Sequence, residues 1–340
     1  MYNIFSIHGA LAGRLRGHLV TNYLTRKMAT IHIIIFFFLM ISNMLFAVQL
    51  TNDVKEDGLI MKSFLYDENH TRFRLAKSVA GSKVFNFLFL PGGPGVDSSC
   101  FDSLIKCMNA PGNYWLLDLA FNGTNEPDSV NSDNICQKWD KFLVDAIKKF
   151  ENPILIGHSF GGYLPLFCPD LEDILRGLII LNSVPTLHSE LFAECAKGHD
   201  LPSLLEAQTK LIQHPSLEAL KQLYELESYY FFSPKNRKQG FEQVIKKLEF
   251  CIPTEHWWYV KGPQHYSEIK WVPQVVPTLI VGGTDDLITP LEIFSNDLQF
   301  HRDNIEIISI ECAGHFPWIE KPEVVNNVLK SFTNKCEYVY

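Results

Sequence analysis

The chain has 340 residues, of which 46% are hydrophobic and 20% charged, and its net charge is −8. An apolar share of that size supports one large or two small globular domains with a substantial core, and it excludes a disordered chain or a coiled coil. The acidic balance also excludes a non-specific nucleic-acid binder presenting a basic face.

Residues 1–47 contain Arg14, Arg16, Arg26 and Lys27 and no acidic residue. The uncharged run Ile31–Ile41 follows, and Leu45-Phe46-Ala47 closes the segment on a small residue. A basic stretch, a short apolar run and a small residue form the pattern of a secretory signal peptide, with Met28 as an alternative start. The competing reading is an uncleaved anchor over residues 31–48, interrupted by His32, Ser42 and Asn43. Only in that case does the chain touch a membrane. Both readings place the basic flank on the cytoplasmic side and export the rest, to the periplasm or the exterior. All eight cysteines follow residue 47, and in an oxidising compartment some of them are expected to pair. There is no C-x-x-C, so neither a zinc site nor a thioredoxin-like redox pair has support.

Beyond the leader, Ile60–Tyr66 and Arg72–Ser78 read as an antiparallel pair. Val84–Leu90, Tyr114–Leu119, Pro153–Ile156, Gly177–Leu181, Pro277–Val281 and Ile305–Ile310 are short apolar runs, most without polar alternation. Such runs fit strands of a parallel sheet covered on both faces. Between two of them, Asn134–Phe150 carries apolar residues at helical spacing. Strand, helix and strand in repetition give an α/β fold with a doubly wound, mostly parallel sheet. Residues 187–270 break the alternation. They read as helices over 204–212, 217–226 and 239–250, rich in aromatics, and the stretch is too long for one crossover, so it is expected to be an inserted helical cap. The domain organisation is then leader 1–47, core 48–186, cap 187–270 and core 271–340.

Four segments carry chemistry. Gly157-His158-Ser159-Phe160-Gly161 directly follows the strand at 153–156 and precedes a short helical run. G-x-S-x-G between strand and helix is a nucleophile elbow, a strained turn that aims the Ser159 hydroxyl out of the sheet. Pro165 and Pro169 should leave the helix behind it short or kinked. Gly282-Gly283-Thr284-Asp285-Asp286 ends a strand with two adjacent acids, Asp285 and Asp286; an aspartate there can hold a histidine in the required tautomer, and the other then serves as a turn residue. Gly314-His315-Phe316-Pro317-Trp318 follows the last strand and supplies the base. Ser159, one of these two aspartates and His315 thus stand in the chain order of a hydrolytic triad, each at its own strand end. The fourth segment, Pro91-Gly92-Gly93-Pro94-Gly95, offers backbone amides close to a substrate carbonyl, so the oxyanion hole is expected from the N–H groups of Gly93 and Phe160. Trp257 and Trp258 of the cap are candidates for an apolar substrate pocket.

With these motifs residues 60–335 resemble the α/β-hydrolase fold, and within it the subgroup related to proline iminopeptidases. In that subgroup the oxyanion loop reads His-Gly-Gly-Pro-Gly; here Pro91 stands in place of the histidine. The resemblance implies Asp286 as the triad acid and an acyl-enzyme on Ser159. It also implies that cap carboxylates, with Glu206, Glu225, Glu227 and Glu255 available, receive a substrate amine; as charges on helices these four are otherwise expected to be solvated. The expectation is an exported serine hydrolase, either carboxylesterase or iminopeptidase-like aminopeptidase, cleaving small esters, amides or N-terminal peptide bonds without metal or organic cofactor. Its partner is then a small molecule or short peptide rather than nucleic acid. Acyl transfer to another acceptor, or an inactive binding module of the same shape, are the alternatives.

Overall fold

The computed structural model describes residues 64–81, 85–127, 131–187 and 198–337. The expected signal or anchor within residues 1–48 lies outside them, as does Cys195. Eight strands, β1 (Leu65–Tyr66), β2 (Arg72–Val79), β3 (Phe85–Leu90), β4 (Gly112–Asp118), β5 (Pro153–His158), β6 (Gly177–Leu181), β7 (Thr278–Gly283) and β8 (Ile305–Ile310), form one sheet in the order β1-β2-β4-β3-β5-β6-β7-β8. β1, β2 and β4 pair antiparallel, and the remaining neighbours pair parallel. The antiparallel start and the parallel body match the expectation from the apolar runs. Strands β5, β6 and β7 are buried at every residue, which is why their sequences lack alternation.

Among the described residues the α-helices are α1 (Asp102–Cys107), α2 (Ser132–Cys136), α3 (Trp139–Ile147), α4 (Phe160–Tyr163), α5 (Leu205–Gln213), α6 (Leu217–Phe231), α7 (Arg237–Gln243), α8 (Ile252–His265), α9 (Glu292–Ser295), α10 (Pro317–Glu320) and α11 (Pro322–Cys336). The single helix expected over 134–150 is two, because the chain breaks between Cys136 and Trp139. That break delivers Trp139 to the core, where its Nε1–H donates to the Ala120 carbonyl at 3.0 Å. α4 lasts only four residues, as the prolines require: Pro165 has no N–H to continue the ladder, and 3₁₀ turns at Leu164–Phe167 and Pro169–Asp173 follow. The helix expected over 239–250 stops at Gln243, since Phe250 is needed in extended form to bridge Val96 of the core. Helices α5 to α8 lie between β6 and β7, in the stretch expected to be the cap, and are called the cap below; residues 188–197 of that stretch lie outside the described residues.

Among the described residues no helix is long and apolar enough to cross a membrane. The seven described cysteines are free thiols, so the pairing expected from export is not found among them. Five are buried in the core, and burial pushes each thiol up; Cys136, Cys251 and Cys336 reach about 12.

One buried ion pair braces the sheet beside the site. The Arg72 guanidinium donates through Nε (3.1 Å) and Nη2 (2.8 Å) to Asp118 Oδ2 at the carboxyl end of β4, while Asp118 Oδ1 accepts the Ser98 N–H at 2.7 Å. Both side chains are under 10% exposed, so removing one partner strands the other charge out of water. Arg72→Met is therefore expected to cost about 3 kcal/mol of unfolding free energy, read as a lower urea midpoint at unchanged slope; a midpoint equal to wild type would show the pair to be dispensable.

Candidate active site

The carboxyl ends of β3, β5, β6, β7 and β8 converge on one rim of the sheet, where open α/β sheets bind ligands. Ser159 sits between β5 and α4 with φ 52° and ψ −122°. A non-glycine residue in that region is strained by on the order of 1–3 kcal/mol, and it persists here because the surroundings fix it. The Ser159 N–H is held by the carbonyls of Leu181 (3.0 Å) and Asn182 (3.1 Å) at the end of β6, and the Ser159 carbonyl accepts the N–H groups of Gly162 and Tyr163. The turn is so tight that a Cβ on Gly157 would overlap the Gly161 carbonyl, and one on Gly161 would overlap the Leu90 carbonyl. That close approach is the reason for glycine on both sides of the elbow.

Asp286 and His315 meet, as expected from their strand ends. His315 Nδ1 lies 2.9 Å from Asp286 Oδ2. The same Oδ2 accepts from Asn182 Nδ2 (2.8 Å) and Thr289 Oγ1 (2.6 Å), and Oδ1 accepts the N–H groups of Ile288 (2.9 Å) and Thr289 (3.0 Å). Burial alone would raise this carboxyl. The His315 charge and the hydrogen bonds from His315, Thr289 and Asn182 overcome burial and hold it well below the usual carboxylate range. Asp285 is more exposed and bonds locally with Thr284, as a turn residue does. Behind the pair, His158 Nε2–H donates to the His315 carbonyl at 2.9 Å. Burial, then the nearby His315, hold the His158 imidazole well below its ordinary value, so it is a neutral donor.

Ser159, His315 and Gly93 line one cavity of about 530 Å³, roofed by the cap. Gly92 packs directly on the serine: a Cβ there would come within 2.7 Å of Ser159 Cβ. Gly93 follows with φ 97°, and Phe160 opens α4, where the first amides have no acceptor within the helix. Both candidates for oxyanion donors therefore flank the serine. The loop is pinned from the cap as well: Cys251 N–H donates to the Gly95 carbonyl at 2.8 Å, Asp97 N–H to the Glu249 carbonyl at 3.2 Å, and Val96 bridges Phe250.

The two cap tryptophans part ways. Trp258 lines the cavity, its ring 4.9 Å from that of Phe160. Trp257 does not; it is buried between Trp139 (6.1 Å) and Tyr266 (6.3 Å) and serves as packing between cap and core. The reason is helical geometry, since Glu255, Trp258 and Tyr259 share one face of α8 and Trp257 lies on the next.

Two of the four cap glutamates overturn the expectation of a solvated surface. Glu206 and Glu225 are exposed, but Glu227 (8% exposed) and Glu255 (2%) are buried in the cavity wall. The Tyr259 hydroxyl donates to Glu227 Oε1 at 3.2 Å and the Tyr224 hydroxyl to Glu255 Oε1 at 2.8 Å. Burial pushes Glu227 up to about 7, against the pull of Tyr259. Burial, helped by the charge of Glu227, pushes Glu255 well above the ordinary carboxylate range, against the pull of Tyr224. The signal lay in the spacing: Leu220, Leu223, Tyr224, Glu227 and Phe231 form one buried stripe of α6. Asn182 and Ser183, just past β6, are two further residues that no motif marks. Ser183 Oγ is buried at the cavity without a hydrogen-bond partner, while Asn182 Nδ2 also reaches the Gly314 carbonyl at 3.0 Å.

The chain is similar to several known proteins. A putative esterase/lipase of Mycoplasma pneumoniae is 22% identical over 262 residues, covering 75% of this chain and 91% of the relative. The 2-hydroxy-6-oxo-6-(2'-aminophenyl)hexa-2,4-dienoic acid hydrolase of Metapseudomonas resinovorans is 25% identical over 223 residues, covering 64% and 72%. Among solved structures, the proline iminopeptidase-related protein of Thermus thermophilus superposes with a TM-score of 0.59 at 17% identity, over 82% of this chain and all of that one. Residues 87–328, well over half of the chain and including the strand ends from β3 to β8 just described, match the Alpha/beta hydrolase family, and the chain belongs to it.

Proposed function

We propose that this hydrolase works through an acyl-enzyme on Ser159 and prefers acyl compounds carrying a free amino group near the scissile carbonyl. The observation that carries the first half is the strained elbow at Ser159 opening into the same cavity as the Asp286–His315 pair. His315 accepts the Ser159 proton as Oγ attacks the carbonyl carbon. Asp286 holds the imidazole and answers its positive charge. The N–H groups of Gly93 and Phe160 receive the oxyanion, and His315 then protonates the leaving group. Water repeats the sequence and releases the acid.

The second half rests on Glu227 and Glu255. Two buried carboxylates share one cavity wall, and each accepts from a tyrosine hydroxyl but pairs with no cation among the described residues. An ammonium group is the ligand that lets both ionise together. The proline iminopeptidase-related protein of similar fold agrees with this reading. A plain esterase is the second reading, favoured by the name of the Mycoplasma pneumoniae relative and by Pro91 in the position of the subgroup's histidine. Export remains part of the proposal and rests on residues 1–47 alone.

Three measurements test it. A fluorophosphonate should label the wild-type protein and not Ser159→Ala, with kcat lowered on the order of 10⁶-fold; equal labelling of both would exclude Ser159 as nucleophile. Aminoacyl naphthylamides, proline included, should be turned over better than p-nitrophenyl esters of similar size, and ester turnover alone would select the esterase reading. The pH dependence follows from the sign of the Glu227 shift. Below about 7 that carboxyl is protonated and binds a cation poorly. KM for amine substrates should therefore fall as pH rises through about 7 and climb again once the substrate α-amine loses its proton, at about 8. Glu227→Gln should flatten this profile, and a neutral ester should not show it.

A further inference from the structure

The cap does more to His315 than roof it. At the last turn of α6 the Phe231 carbonyl accepts the His315 N–H at 2.6 Å. The Phe231 ring lies offset-stacked against the imidazole, with centroids 5.1 Å apart and planes 17° from parallel. A Cβ on residue 314 would overlap the Phe231 carbonyl, which is the reason the residue before the histidine is glycine. The next pair repeats the arrangement: Phe232 stacks on Phe316 with centroids 5.4 Å apart and planes at 22°. Glu320 of α10 closes the junction, accepting the Gly314 N–H at 3.2 Å through Oε1 and the Ser233 hydroxyl (2.8 Å) and Asn236 Nδ2 (2.9 Å) through Oε2.

We propose that Phe231 is a positioning residue for the reaction, a cap-borne aromatic platform that sets the orientation of the His315 imidazole and stabilises its protonated form. The proposal rests on the serine-hydrolase reading above. When Ser159 Oγ attacks, its proton passes to His315 and from there to the leaving group, so an imidazolium exists between the two steps. A cation against the face of a desolvated aromatic ring is stabilised by the ring quadrupole. The titratable groups in contact with His315 are Asp286 after β7 and His158 at the end of β5, and Ser159 lines the same cavity. Glu227 stands in the same cavity one turn back along α6, and Glu320 acts through the Gly314 amide. Of these, His158 is a neutral donor and Asp286 is the counter-charge; Phe231 adds the only aromatic face from the cap stacked near-parallel on this ring among the described residues.

The test uses the full chain and a neutral ester, so that Glu227 does not enter through substrate charge. In Phe231→Leu the acidic limb of the kcat/KM profile should move down by about half a pH unit, because the imidazolium has lost its platform. The kcat on the plateau should fall about 10-fold with KM nearly unchanged, since positioning acts on the transition state. Phe231→Tyr, which keeps the ring, should restore both. Should the leucine variant fail to fold, Phe231→Met keeps the volume without the ring and should behave in its place. An acidic limb that stays where it is in the leucine or methionine variant overturns the proposal, as does a tyrosine variant no better than leucine. Labelling of the same preparations with a fluorophosphonate separates the two levels. A labelled wild type with an unmoved limb sinks the platform alone, whereas an unlabelled wild type sinks the serine-hydrolase reading and the platform with it.

Discussion

The site depends on a buried negative charge that is neutralised by geometry. Asp286 is taken out of water at the end of β7, a step that costs several kcal/mol for an ion without partners. Five donors answer it: two backbone N–H groups from the following turn, Thr289 Oγ1, Asn182 Nδ2 and the His315 ring. Hydrogen bonds to a charged group contribute about 1.5–3 kcal/mol each, so the set outweighs the desolvation and leaves the carboxyl ionised. Three of the five come from the loop that follows Asp286, one from the end of β6 and one from the loop after β8. The carboxylate can remain charged only if three neighbouring strand ends stay in register. This ties the imidazole to the sheet rather than to a flexible loop.

Glu227 and Glu255 follow the opposite logic. They too are buried, but each has a single tyrosine hydroxyl, and their carboxyls rise where that of Asp286 falls. A carboxylate with a full donor set is finished within the protein. One with a partial set keeps acceptor capacity that a ligand can use, and its charge depends on pH. The same residue class thus divides into an internal charge that holds the His315 ring and a pair to which the proposed function assigns the substrate amine. The difference can be read from the number of donors, while depth of burial does not distinguish them.

Much of this was legible in the amino-acid sequence, because a parallel sheet buried on both faces writes itself as unbroken apolar runs, and because Ser159, an aspartate and His315 each stand in the loop or turn that ends such a run. The short α4 was legible from Pro165 and Pro169. What stayed hidden are consequences of helical register and tertiary contact. Glu227 looks like an ordinary charge on a charged helix until the Leu220–Leu223–Tyr224 stripe is extended one more turn. Trp257 and Trp258 are neighbours in sequence but lie about 100° apart around the axis, so only one of them reaches the cavity. Asn182 carries no local pattern at all, since its side-chain partners lie 104 and 132 positions away, and Glu320 reaches 84–87 positions back to the cap besides its local bond to Gly314. The stop in the helix after Gln243 reflects the demand of Val96 for an extended partner, a long-range pairing that overrides local propensity.

These contacts change how the cap is to be understood. A lid that opens by swinging needs few bonds to the parts of the site that must stay fixed. Here residues 249–251 pair with the loop carrying Gly93, and the end of α6 bonds to the loop carrying His315. Both proposed catalytic loops are therefore built partly out of cap backbone. A rigid swing of the whole cap would carry the Gly93 loop and the His315 loop with it and would disrupt the geometry around Ser159. Access to the cavity has to come from movements that leave residues 231–236 and 249–251 in place. The insertion between β6 and β7 is thus a third wall of the cavity that holds Ser159 and His315, and under the proposed mechanism variation within it is expected to act on turnover as well as on substrate choice.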